Sequence, residues 1–378
     1  MNHVMRFSSL LMLTTVAATL SLPSIGCGAA ADEDSDTSTN DLGAPIDCSN
    51  PPPLGLTPAQ RKWVKFRPGH YYYYGGTDVA KPLADIEGTD VAGVLLRYEW
   101  AQLESTPDAY DFSAIESDLA ATVAKTKRFA IMLSWKYTAP PAYLAAYATS
   151  ASPYRFPLTG GTDGWLTNLG NGQIAGRFTK LVAALAAKFD STPGFVGVVY
   201  PETSLSATLS KPQEDAYFAN LAKIDRASAC YFRHTPITQL TNFPVGHLNT
   251  LIQGNFVPGQ VGLGGPDTFL GDVTLDAPGR LYDYLDQVAG TLPIMMFAQG
   301  RDFAYASKKN IDDDVPDGLD FATSITLHGA KAVSLHANYV FWRPLGGYRS
   351  EFLTQARDHL LPPVSTACPS VYGNACLK

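Results

Sequence analysis

From Tyr71 to Tyr339 the chain repeats one pattern: a short apolar run, a polar break, then a longer segment with apolar residues at helical spacing. Buried parallel strands read as near-continuous apolar runs, and each needs a crossover element before the next. The pattern therefore predicts consecutive βα units closing into an α/β structure. The expected strands are Tyr71–Tyr74, Val91–Arg97, Phe129–Trp135, Phe195–Tyr200, Pro236–Thr241, Gln260–Leu263, Pro293–Ala298 and Ala332–Tyr339. Helices are expected over Ser113–Thr126, Gln173–Phe189, Lys211–Ser228, Val245–Ile252, Leu281–Val288, Leu319–His328 and Tyr348–Leu360. A Pro-, Tyr- and Gly-rich insertion, Tyr137–Gly172, follows the third strand.

The first part of the chain reads differently. Arg6 precedes an apolar stretch, Leu10–Leu22, too short to span a bilayer, as in an export signal. Ser24-Ile25-Gly26-Cys27 resembles a bacterial lipoprotein cleavage box with Cys27 as the lipidated residue. Ser24 stands where Leu is usual, so cleavage by ordinary signal peptidase stays open. Residues 28–50 are small, polar and acidic (Asp32-Glu33-Asp34-Ser35-Asp36) and read as a tether. The expected organisation is a signal or lipoprotein segment over 1–27, the tether over 28–50, and one folded domain over 51–378. Localisation is expected at the bacterial cell envelope or outside it, with membrane contact only through Cys27.

Beyond Cys27 remain Cys48, Cys230, Cys368 and Cys376. An even number in an exported chain suggests two disulfides with three possible connectivities. Cys368 and Cys376 bracket a short loop and are the easiest pair, which leaves Cys48 with Cys230. The net charge of −7, without a Lys/Arg stripe, argues against a nucleic-acid partner. No HExxH, paired CxxC, DxDxDG, GxGxxG or Walker sequence is present, so neither a metal nor a cofactor is expected.

Leu95-Leu96-Arg97-Tyr98-Glu99-Trp100-Ala101-Gln102-Leu103-Glu104 ends an apolar run in a charged, aromatic cluster, and Tyr110-Asp111-Phe112-Ser113 leads into a helix. Over these residues the chain resembles the (β/α)8 glycoside hydrolases of the clan A type, the β-galactosidase- and cellulase-like enzymes. In that group the second strand commonly ends in Trp, reads Leu-Glu, and passes through aromatic-Asp-Phe-Ser into a helix. The resemblance implies a (β/α)8 TIM barrel, a single large domain with the long insertion after strand three. It also implies a carbohydrate substrate, an oligo- or polysaccharide.

In such barrels the active site lies at the C-terminal ends of the strands. The residues expected there are Tyr73 and Tyr74, Arg97 and Glu99, Trp135 and Lys136, Glu202, Asn242, Asp267, Gln299 with Asp302, and His336 with Asn338 and Trp342. Clan A enzymes carry their acid/base Glu after strand four, commonly following Asn; here Glu202 follows Pro201. A retaining enzyme of this clan carries a nucleophilic Glu after strand seven, where this chain has Gln299, an amide that cannot form a glycosyl ester. Three readings stay open. Asp302 takes the role; Asp267, in a Gly-Gly-Pro-Asp turn, serves as the base of an inverting reaction; or the protein binds sugar without cleaving it. Arg97, Glu99, Trp135, Asn242, Gln299, His336 and Trp342 are the expected substrate-binding residues, with Trp342 as a sugar platform.

Overall fold

The computed structural model describes residues 47–51, 55–57, 60–61, 63–76, 78–147, 154–157, 163–300, 302, 319–344 and 346–376. The export signal, Cys27, most of the tether and part of the insertion lie outside these residues.

Eight parallel strands close into a barrel: β1 (Gly69–Tyr74), β2 (Gly93–Glu99), β3 (Arg128–Ser134), β4 (Phe195–Tyr200), β5 (Ile237–Leu240), β6 (Gly262–Gly265), β7 (Ile294–Gln299) and β8 (Tyr339–Arg343). Each pairs with its sequence neighbours, and β1 pairs with β8 to complete the ring. This is the (β/α)8 TIM barrel that the sequence implies. Strand side chains alternate between two layers. Tyr71, Tyr73, Leu95, Met132, Val199, Leu240, Met295, Phe297, Tyr339 and Phe341 pack together inside the ring. Tyr72, Leu96, Tyr98, Ile131, Trp135, Tyr200 and Trp342 belong to the outer core, against the helices.

The strand expected over Ala332–Tyr339 is displaced. Phe321–Ser334 is helical, and β8 begins only at Tyr339. The run Ala332-Val333 mimics a strand but continues the helix, which ends at Leu335 before His336 takes a left-handed backbone (φ 61°). Asn338 then pins the entry to β8, its Oδ1 accepting from Ile294 N at 2.9 Å and its Nδ2 donating to Ser365 O at 2.9 Å. β6 starts two residues later than expected, because Gln260 is the left-handed residue that ends the preceding helical turn. Within the insertion, Tyr154–Pro157 and Asp163–Leu166 pair as an antiparallel hairpin.

The Leu103-Glu104 part of the motif is structural. Glu104 is fully buried and accepts from Trp100 Nε1 at 2.8 Å, from Asp108 N at 2.9 Å and from Arg177 Nη2. Its charge ties β2 to the Gly172–Phe189 helix.

The N-terminal segment closes the floor of the barrel. Buried Arg61 donates to Ala229 O at 2.9 Å and Arg233 O at 3.1 Å, and Lys65 Nζ donates to Phe189 O at 3.3 Å and Thr192 O at 3.0 Å. Both cations thus satisfy carbonyls at helix C-termini, where the macrodipole favours positive charge. Disulfides Cys48–Cys230 and Cys368–Cys376 lie on this side, as the sequence suggested. The first spans 182 residues, which in the chain-entropy picture removes about 5 kcal/mol of unfolded-state freedom; the second, spanning 8, removes about 2.5 kcal/mol.

One buried group works against stability. Asp225, on the Lys211–Tyr231 helix, is fully buried, and neither carboxyl oxygen has a hydrogen-bond partner. Burial drives its pKa well above the ordinary carboxylate value, which favours the neutral acid in the folded chain relative to the unfolded one. A raised folded pKa contributes stability below the unfolded pKa and loses it as pH rises. Asp225→Leu is therefore expected to stabilise the protein by about 1–3 kcal/mol at pH 7, because it removes an unsatisfied buried polar group. The gain shrinks toward pH 4. Urea unfolding at pH 4.5 and 7.5 checks this; a variant less stable than the parent at pH 7.5 defeats the assignment.

Candidate active site

The C-terminal ends of the strands surround a crater of about 350 Å³. Every strand, or the loop that follows it, contributes to the wall: Tyr73, Arg97, Met132 with Tyr137, Pro201 with Glu202, Leu240, Pro266, Phe297 with Gln299, and Arg343. A larger cavity, about 620 Å³, opens on the opposite face between Phe66, Arg128 and the Cys368–Cys376 loop. No strand delivers its C-terminus there, and the floor of such barrels is a stability face.

Glu202 is the only carboxylate among the described residues lining the crater. Three donors converge on it. Asn242 Nδ2, from the end of β5, donates to Oε2 at 2.7 Å; the Tyr137 hydroxyl donates to Oε1; and Lys136 Nζ lies 3.6 Å from Oε1. Lys136 also donates to Glu202 O at 3.3 Å and to Ser204 O, so the ammonium holds the loop as well as the side chain. Gln239 Nε2 donates to Pro201 O at 2.5 Å and clamps the residue before Glu202. Burial pulls the Lys136 ammonium below its ordinary pKa, and Glu202 opposes that pull. Burial, and next the Glu202 charge, hold the Tyr137 phenol above its ordinary value, so it acts as a hydrogen-bond donor at neutral pH.

Tyr137 has a left-handed backbone (φ 77°), a conformation costing a non-glycine residue about 1–3 kcal/mol. It is held by Tyr137 N donating to Trp165 O at 2.7 Å and by the Lys136–Leu166 bridge. The insertion hairpin thus fixes the donor aimed at Glu202. Lys136 is among the residues expected at the strand ends, whereas Tyr137 is not; its signal is an aromatic residue directly after a Lys that ends a buried strand.

Arg97 lines the crater, with Nε 2.5 Å from Glu99 Oε1, Nη2 donating to Lys136 O at 2.9 Å, and its guanidinium 5.0 Å from the Tyr137 ring centre. Glu99 also accepts from Thr138 Oγ1 at 2.7 Å. The pair braces the start of the insertion.

Gln299 lines the crater at the end of β7, its Nε2 donating to Asp267 Oδ1 and Pro266 O, both at 2.8 Å. Asp267 is half-buried behind that amide. Asp302 is 1% exposed and does not line the crater. Its Oδ2 accepts from Thr268 N and Gln299 N, both at 3.0 Å, and from Thr268 Oγ1 at 3.1 Å. Burial first, then the neighbouring Asp267 charge, push the Asp302 pKa well above the carboxylate range. Both effects favour the protonated form of Asp302, which is buried off the crater wall.

Three expected binding residues lie elsewhere. Trp135 is buried between β3 and its helix, donating from Nε1 to Tyr217 OH at 2.9 Å and packing on Phe178. Trp342 also points outward, donating to His70 Nδ1 at 2.9 Å and stacking on Phe352. His336 sits before β8, at the floor, 3.3 Å from Asp286. None of the three reaches the crater. The rings that do are Tyr73, Tyr137 and Phe297.

Glu214, Asp215 and His247 have spacing suited to a cation, but Lys211 Nζ lies 2.6 Å from Asp215 Oδ1 and 3.5 Å from Glu214 Oε1, supplying the positive charge itself.

No family model matches the chain, and no curated protein matches it in sequence. Among solved structures, the catalytic domain of β-amylase from Paenibacillus polymyxa matches with a TM-score of 0.52 and 11% identity, over 79% of this chain and all of that one. A β-galactosidase from the psychrophilic Marinomonas ef1 matches with a TM-score of 0.50 and 11% identity, over 77% of this chain and 59% of that one. A β-galactosidase from Bacillus circulans sp. alkalophilus matches with a TM-score of 0.51 and 10% identity, over 78% of this chain and 55% of that one. At such identities the likeness is one of fold: the chain is a (β/α)8 barrel.

Proposed function

We propose that the chain binds carbohydrate in the crater and cleaves O-glycosidic bonds there, with Glu202 as the acid/base carboxyl. One observation carries this reading: a carboxylate at the end of β4 faces a ring-walled cavity on the reactive side of the barrel. Glycosidic cleavage needs a carboxyl that gives a proton to the leaving oxygen and a second that serves as nucleophile or base. Asp267, held behind the crater wall by the Gln299 amide, is the second carboxylate of this reading once that amide gives way, and the buried Asp302 is its positioning residue.

A second reading is favoured by Gln299, whose amide stands on the crater wall at the end of β7. It is a surface carbohydrate-binding barrel that has lost the strand-seven nucleophile. A panel of aryl glycosides and polysaccharides, assayed for turnover and for binding with the parent and Glu202→Gln, separates the two. Turnover that falls in the variant supports cleavage. Binding without turnover by the parent supports the second reading, and equal turnover by both removes Glu202 from the chemistry.

The same reading has residues 1–27 directing export, 28–50 as a tether and Cys27 as the lipid anchor. The two disulfides support an oxidising compartment. Metabolic labelling with palmitate is expected to mark the parent and not Cys27→Ser; label retained by the variant rules out Cys27.

A further inference from the structure

The crater has a charge imbalance that the cleavage chemistry does not use. A second cavity, about 340 Å³, adjoins it and shares Tyr73 and Arg343 with it. Among the described residues, the charged ones lining the two are Arg97, Arg343 and Arg349 against the carboxylate of Glu202. Three of the four cations around this mouth are already matched: Arg97 by Glu99, Lys136 by Glu202, and Arg349 by Asp85.

Arg343 is the exception. It ends β8 pointing inward, is exposed, and has neither a hydrogen bond nor an ion pair among the described residues. Its guanidinium lies 5.2 Å from the centre of the Tyr73 ring. A Cβ on Gly75 would come within 2.8 Å of Arg343 Nη2, so the bare backbone at the end of β1 leaves room for the head group. Among the described residues, this guanidinium at the junction of two cavities is uncompensated, in a protein whose net charge is −7.

A ligand filling both cavities must cover this group. A neutral sugar would strip water from an unpaired charge and offer only hydroxyls, which is costly. A carboxylate or sulfate returns a charge and accepts two parallel hydrogen bonds from the planar fork. We propose that Arg343 makes this an acidic-saccharide site, taking the carboxylate or sulfate of a sugar unit that lies beside Tyr73 while its neighbour lies against Glu202. This inference rests on the crater being a saccharide site.

The test uses the whole exported chain and matched pairs of oligosaccharides: gluco-, galacto- and mannuronate oligomers and sulfated oligomers, each beside its neutral parent. Affinities are measured by calorimetry at low salt for the parent protein, Arg343→Gln and Arg343→Lys. An acidic member is expected to bind at least about tenfold tighter than its neutral parent, the scale of one charge-assisted bidentate contact. Arg343→Gln erases that margin and Arg343→Lys keeps part of it. The uronate and sulfate arms tell which anion is read. Neutral and acidic oligomers binding equally overturns this inference and leaves the saccharide site standing. An acidic preference that survives Arg343→Gln overturns the assignment to Arg343. No binding by any oligomer overturns the saccharide site itself and this inference with it.

Discussion

Glu202→Gln is expected to lower kcat for glycoside cleavage by about 10²- to 10⁴-fold, the usual contribution of a positioned acid/base group. The substitution is close to isosteric, so the site changes chemically more than sterically. A Gln carbonyl oxygen still accepts from Asn242 Nδ2, while its amide nitrogen has no proton of suitable acidity for a leaving oxygen. Lys136 loses its counter-charge, but burial already pulls its pKa down, and it keeps the Glu202 and Ser204 carbonyls as acceptors. The fold should therefore survive, and KM should move much less than kcat. Steady-state kinetics on the best substrate of the panel, with thermal unfolding as a control, reads both. A variant within a factor of three of the parent excludes Glu202 as the acid/base group.

Arg177→Met is expected to have the largest effect on stability, about 3–5 kcal/mol, the scale for stripping one partner from a buried ion pair. Glu104 is completely buried, and Arg177 is its cationic partner. The variant leaves that carboxylate with only Trp100 Nε1 and Asp108 N. Losing the second contact of Arg177, to Asp108 at 2.9 Å, matters little because that carboxylate is 59% exposed and screened by water. Glu104→Gln combined with Arg177→Met should recover part of the loss, because the uncompensated charge is gone. Urea unfolding of the two single variants and the double gives the coupling. A loss below about 1 kcal/mol for Arg177→Met would be the size of an exposed pair and would contradict the burial argument.

Glu104 and Glu202 are carboxylates that the sequence presents alike. Glu104 sits in the most recognisable motif of the chain, yet its three donors are all structural. Glu202 follows an unremarkable apolar run and departs from the clan pattern at Pro201, yet it faces the crater. A motif residue buried between layers reports how the chain folds. A polar residue that a buried strand delivers to the rim is available for chemistry. Arg97, Glu202 and Gln299 were legible in this sense because each ends an apolar run. Tyr137 was not, since its placement depends on its own left-handed backbone, held by a distant hairpin.

The sequence by itself determined the number of strands, their order and the face on which polar residues collect, because hydrophobic periodicity and chain direction are local properties. It did not determine which rim residues look inward. Trp342 and Arg343 are adjacent, and a strand sends neighbours to opposite sides, so one residue of parity decided which became core and which became crater. Trp135 was lost to the outer layer in the same way, and His336 to the floor when β8 proved to start later. That parity is fixed only when eight strands close on one another in a common register, and closure belongs to the ring, not to any of its strands.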